Sequence, residues 1–358
     1  MPKSRSTRRP YIDWLRGVAV LCMIEWHSID AWSVTSGRDS AAFDVVGFIG
    51  GWAAPLFLFL AGVSLPLAGE ARMARGLERR AAARTLERRG WQIFVLAHVF
   101  RFQSFLLNPG AAWNAILKPD ILNVLGLGLV ATAWCWGRDE TFRGRLRWLI
   151  VPAITIVVVI TPWAQVWTWP SLLYPRFEAY IRPVGNYGVF SLFPAVAYVF
   201  AGAAVGQWIG ANGPDTARFH ARLAAAGLAV LAVGGLARIV EPYGGGAVAA
   251  GVEAFGWRIG MMTLALSASW LLVHRRPADR WSPLVIFGRT SLFVYWVHVE
   301  LAYGIFSYPL HHALPLPWAV AAFALLTGAM LAVAVVWMRV RLAPGQPVVP
   351  AHMAAAAG

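Results

Sequence analysis

Charged side chains are scarce in this chain: only 13% of its 358 residues are Asp, Glu, Lys or Arg, and carboxylates are outnumbered 17 to 31 by Lys and Arg. Soluble domains carry about a quarter charged residues, so a water-borne globule is excluded. Cysteine is nearly absent; Cys22 and Cys135 both fall in apolar segments, which implies no disulfide framework and leaves the compartment open. There is no Walker-type phosphate loop, no Gly-rich dinucleotide fingerprint, no Cys-pair site and no helix-borne paired-histidine motif, so no metal is expected. The first apolar stretch carries charges and lacks a small-residue cleavage signature, so it reads as a permanent span, not a removable signal. Long internal repeats are also lacking, which weakens an inverted-repeat transporter.

What the chain has in abundance is apolar surface: 58% hydrophobic residues, 19 Trp and a mean hydropathy of +0.57. Runs of about 18 or more apolar residues recur along the chain. The fold class is all-α, a polytopic transmembrane helix bundle with ten spans near 12–34, 44–69, 90–107, 119–137, 147–167, 188–210, 221–240, 255–274, 283–306 and 318–338. Residues 1–11 form an N-terminal segment, 12–342 the membrane domain and 343–358 a disordered tail.

A net charge of +14 suits nucleic acid in a soluble protein, but here Lys and Arg collect in alternate connections, 22 on one side against 5 on the other. Cytoplasmic loops attract that excess, so both termini are expected inside, with membrane lipid and not nucleic acid as partner. The connection at 162–187 is rich in Trp, Tyr and Pro, suiting an interfacial belt on the opposite face. Gly202, Gly206 and Gly210 recur every fourth residue as a ridge for close helix packing.

The first span holds the most costly residues. Asp13 and Arg16 open it, and His27 follows with Glu25 and Asp30 nearby. On a helix the step from Arg16 to His27 is three turns plus about 20°, so both lie on one stripe roughly 16 Å apart. Ionisable groups at membrane depth are rare unless they line a cavity or reaction path. His27 can take a proton from a hydroxyl or amine, with Asp30 one turn on to orient it, or it can be a packing histidine near an interface. Arg16 can hold a phosphate, pair with Asp13, or do both.

Further polar groups fall in later spans. Arg88 and Arg89 stand at the mouth of the third, as anchors or phosphate contacts, and His98, Arg101 and Gln103 lie deeper; Arg101 requires a cavity or a carboxylate such as Glu25, Asp30 or Asp120. Asp120 can cap the fourth span, while Asn123 links helices or touches ligand. In the ninth, Arg289 and His298 would face opposite sides of a straight helix and Ser291, Tyr295 and His298 would share one face. His298 reads either as a second site histidine or as a buried hydrogen-bonding group. His311 and His312 are expected to be solvated in a loop.

The opening RRPYIDWLRGVAVLCMIEWH resembles membrane acyltransferases of the acyltransferase-3 type, which share an arginine and a histidine spaced as Arg16 and His27 are. APLFLFLAGVSL, DILNVLGL, LFPAVAYVFAGAAVG and GRTSLFVYWVH look more like the bacterial relatives of heparan-alpha-glucosaminide N-acetyltransferase. The resemblance implies acyl transfer from acetyl-CoA or another acyl-CoA to a hydroxyl or amine of a small-molecule or glycan acceptor, in a bacterial inner membrane, with no metal; an oligomer is compatible with it. His27, Asp30 and His298 are then the expected catalytic residues, with His27 the base, Asp30 orienting it, and His298 or Asn123 stabilising the oxyanion. Arg16, Arg89, Arg101, Asn123, Arg289 and Ser291 are the expected cofactor-binding residues. The lysosomal heparan enzyme has Asn at the position of His27 and its reactive histidine at that of Arg38, so heparan itself is not the expected acceptor. The rival reading is a small-solute or lipid transporter that uses the same buried charges.

Overall fold

The structure is a computed structural model and describes residues 9–107, 112–138, 147–184, 190–241, 246–275 and 281–341. The expected tail at 343–358 lies outside these, as does most of the N-terminal segment. Among the described residues the regular structure is helical, apart from one isolated parallel bridge between Ser33 and Leu314.

In chain order the α-helices are α1 (Pro10–Trp32), α2 (Ala41–Gly50), α3 (Ala53–Met73), α4 (Arg79–Leu107), α5 (Ile121–Gly137), α6 (Arg147–Thr155) and α7 (Thr161–Val166). They continue as α8 (Pro175–Ile181), α9 (Leu192–Ala211), α10 (Ala217–Val240), α11 (Gly246–His274), α12 (Pro283–Arg289), α13 (Ser291–Tyr303) and α14 (Leu316–Arg341). Two compact units divide the chain: Met1–Leu56 with Ala268–Gly358, and Phe57–Ser267.

All ten apolar segments of the sequence fall on helices. Among the described residues six helical stretches are long and apolar enough to cross a membrane: Ala41–Met73, Trp113–Gly137, Leu192–Ala211, Ala217–Val240, Gly246–His274 and Leu316–Arg341. A seventh is the pair α12 and α13, which is bent by 91°. The remaining three are helical but less apolar or shorter. α1 contains Asp13, Arg16, Glu25 and Asp30; α4 carries His98, Arg101 and Gln103 in its apolar part; and Trp148–Ala164 is short.

In the first unit, α1 begins with proline at its first position and Asp13 in its first turn, both favourable at a helix N-terminus. Its last carbonyls are met by the chain after α13: His312 N–H donates to Ala31 O at 3.0 Å and Leu314 N–H to Trp32 O at 2.9 Å. The Trp32 indole in turn donates to Ala302 O at 3.0 Å. His312 is thus fastened to α1 by its backbone, while the residue itself is solvent-exposed as expected.

α1 packs along both halves of the bent pair. The approach to α12 is backbone to backbone: a Cβ on Gly17 would run into the Leu284 carbonyl, and one on Gly288 into that of Asp13. The bend sits at Thr290, whose N–H closes α12 on Ile286 O at 3.0 Å while its own carbonyl accepts the first bond of α13 from Val294 at 2.9 Å. Ser282, with Pro283 behind it, caps the start of α12. The straight ninth span expected from the sequence is therefore two helices.

In the second unit, α3 and α9 meet along the glycine ridge, Gly202 against the Phe59 carbonyl and Gly206 against that of Val63. α4 and α5 pack along each other, and Asp120 with Asn123 builds a reciprocal capping box at the start of α5. Arg79 is buried at the opposite end of that pair. Its guanidinium lies 4.1 Å over the Trp136 ring, and its Nε donates to Trp136 O at 2.8 Å.

Candidate active site

Two groups of expected residues meet in the first unit. The first is a histidine pair: His27 Nδ1 lies 2.9 Å from His298 Nε2, with ring planes within 10° of each other. His298 is fully buried, and its Nδ1 stands 2.7 Å from Val294 O. A carbonyl can only accept, so Nδ1 of His298 carries the proton and Nε2 of the neutral ring is its lone pair. His27 must then donate from Nδ1, which leaves Nε2 of His27 as the basic nitrogen. One backbone carbonyl thereby determines the tautomer of both rings.

Tyr303 closes one side of His27, its ring edge-on at 5.6 Å between centroids, and Tyr295 stands edge-on to His298 at 6.0 Å. Tyr295 and His298 thus share a face of α13, as expected. Tyr303 was missed by sequence reasoning. Its only signal was its place at the end of an apolar helix carrying a histidine.

Asp30 was expected to orient His27, and the structure gives its carboxylate two other partners. Its carboxylate pairs with Arg38 at 3.2 Å and accepts from the Tyr303 hydroxyl at 2.9 Å, while Arg38 also donates to the Asp30 carbonyl at 2.6 Å. A guanidinium offers a full charge and a forked donor, which outcompetes a neutral imidazole for the carboxylate. Tyr303 thus links Asp30 and His27, its hydroxyl on Asp30 and its ring edge against His27. Arg38 also reaches His312 Nδ1 at 3.3 Å.

The second group lies at the other end of α1. Asp13 is buried, with Arg16 Nη1 at 3.1 Å and Arg289 Nε at 3.9 Å, so two guanidiniums share one carboxylate. Arg289 reaches it because α12 breaks away from α13 just after it. Ser291 follows at the first position of α13, where backbone N–H groups have no intrahelical partner. Two guanidiniums close to a helix N-terminus suit an oxyanion.

Arg89, Arg101 and Asn123 belong to the second unit. Arg89 is solvent-exposed and bonds Gln92 at 3.4 Å, while Arg101, twelve residues on and about 18 Å along α4, pairs with Asp120 at 3.0 Å. Asn123 is buried; its Oδ1 accepts from Asp120 N–H at 2.9 Å and its Nδ2 lies 3.1 Å from His98 Nδ1. That is the helix-linking alternative for Asn123. Among the described residues no group of three His, Cys, Asp or Glu is arranged to hold a metal, and there is one bent helix pair, not the two that transporter repeats show.

A family model described as heparan-alpha-glucosaminide N-acetyltransferase, catalytic, matches residues 8–238. No curated protein matches the chain. The matched region includes Arg16, His27 and Asp30 and ends before α12 and α13, so Arg289, Ser291 and His298 stand beyond it.

Proposed function

The chain belongs to the heparan-alpha-glucosaminide N-acetyltransferase catalytic family, and from that premise we propose that it is an integral-membrane enzyme moving an acetyl group from acetyl-CoA to a sugar-like acceptor. In this reading it crosses the membrane ten times with both termini in the cytoplasm of a bacterial cell, and it shares the arginine and histidine chemistry of the acyltransferase-3 type. The observation that carries the proposal is the His27–His298 contact of 2.9 Å, with its tautomers determined by Val294.

The Arg16–Asp13–Arg289 cluster and the first turn of α13 take the phosphates of CoA, since paired guanidiniums and free N–H groups both match phosphate oxygens. The pantetheine arm then runs along α1 across the roughly 16 Å that separate Arg16 from His27. As the acceptor hydroxyl or amine attacks the thioester carbonyl, its proton passes to Nε2 of His27. The C–O or C–N bond forms, the C–S bond breaks, and the thiolate collects the proton from His27 to leave as CoA. His298 accepts from Nδ1–H throughout, holding the ring and stabilising the imidazolium as it develops. The route is written with residues of the first unit; Arg89, Arg101 and Asn123 belong to the second.

Calorimetry with acetyl-CoA on the wild type and on Arg16→Ala tests the binding half. The expected outcome is saturable binding that weakens about tenfold or more when the guanidinium is lost, as for a charge-assisted contact. Wild-type protein that binds neither acetyl-CoA nor free CoA would overturn the enzyme reading, and CoA-independent solute uptake into vesicles would replace it with the transporter.

A further inference from the structure

The second unit carries a polar cluster that the proposed reaction does not use. Where the end of α4 meets the start of α5, Arg101 and Arg176 each come within electrostatic reach of Lys118, and Asp120 pairs with Arg101 beside it. Lys118 is only partly exposed, and both guanidiniums act on it as like charges. Glu178 on α8 is held by Arg182 at 2.6 Å. Lys118 thus lies between two guanidiniums, and the carboxylate beside it, Asp120, already pairs with Arg101 at 3.0 Å.

Hydrogen bonding at the cluster is incomplete. Arg101 Nε and the Tyr180 hydroxyl are buried and have no hydrogen-bond partner among the described residues. Burial, with the Asp120 carboxylate as the second cause, pushes the Tyr180 phenol up to about 12, so it remains an O–H donor at physiological pH. Arg176 is oriented from the side: it donates to Asn114 Oδ1 at 3.2 Å, and Asn114 Nδ2 donates to the Tyr174 hydroxyl at 3.1 Å. Trp113 and Tyr174 are exposed beside it and offer flat apolar faces of the kind that cover a sugar ring.

We propose that Arg101, Lys118 and Arg176 form an oxyanion-binding site of the second unit, taking the phosphate or carboxylate of a sugar. Guanidinium forks and an ammonium recognise both oxyanions, and the neutral hydroxyls of the ring are left to the aromatic rim. Asp120 keeps Arg101 extended and is not itself a ligand.

Titration of the purified full chain in neutral-lipid nanodiscs with glucose 1-phosphate, glucuronate and glucose, followed by tryptophan fluorescence, tests this. At least one of the two anionic sugars is expected to bind about tenfold or more tightly than glucose, and to lose about that factor in Lys118→Gln. Lys118→Arg should restore it, and added salt should weaken it. Equal binding of all three sugars, or of wild type and Lys118→Gln, would overturn the site. Nanodiscs containing phosphatidylglycerol separate the sources: competition that removes sugar binding would hand the cluster to a lipid headgroup and overturn the sugar assignment. Displacement by free CoA would merge the cluster with the cofactor site and overturn it as a separate one. Acetyl-CoA binding that persists in Lys118→Gln shows that a failure here leaves the acyltransfer reading standing.

Discussion

Removing the His27 side chain takes away the base and also strands Nε2 of His298, a fully buried nitrogen whose loss of a partner costs about 1–3 kcal/mol. His27→Ala should therefore lower turnover by about a hundredfold to ten-thousandfold and also lower the thermal midpoint. His298→Phe separates the two effects. It leaves His27 in place but free to rotate and to change tautomer, and loss of such an orienting partner typically costs about ten- to a hundredfold. The measurement is thiol release at saturating acetyl-CoA; a His298→Phe enzyme as fast as wild type would remove His298 from the mechanism. His27 was legible in the sequence because a titratable side chain in an apolar run is expensive. Its partner was not, because 271 residues separate the two rings and no local spacing links them. Asp30 was legible by the same local rule, one helical turn from His27; Arg38 from the next loop, which pairs with its carboxylate, was not.

Helices were legible almost throughout, since an apolar run of the required length in lipid has few alternatives to being helical. The break at Thr290 was not read from the sequence, where the apolar pattern runs on through GRTS. Only the packing against α1 shows why the chain turns there: Gly17 and Gly288 bring two backbones together, and α12 lies along α1 where a straight helix would diverge from it. Gly17→Ala tests this directly. Its methyl group has no room beside the Leu284 carbonyl, and overpacking of this kind costs about 1–3 kcal/mol. Gly328→Ala in α14 is the control, because a Cβ there meets nothing within 4 Å and alanine favours helix. A Gly17→Ala protein that melts with the wild type and the control would refute the close approach. The glycine ridge of α9 was read from spacing alone and is found packed on α3 as expected.

Across the whole molecule, the proposed chemistry depends on which face of the membrane each end of α1 meets. A cytoplasmic supply of acetyl-CoA requires Arg16 on the inner side and His27 beyond it, and the 22-to-5 distribution of Lys and Arg argues for that orientation. The connection between α3 and α4 should then be cytoplasmic and the Trp-rich segment before α8 should face outward. Ala83 is an unsuitable reporter for the first, because it is buried against Ala133 and Trp136. Glu78 and Ser171 are both exposed and serve instead. In a background with Cys22 and Cys135 replaced, a membrane-impermeant thiol reagent applied to intact cells should label Ser171→Cys and spare Glu78→Cys. Permeabilised cells should label both, which shows that each thiol is reachable. Labelling of Glu78→Cys in intact cells would invert α1, place the Asp13 cluster outside, and remove the cytoplasmic CoA pool as the source of the acetyl group.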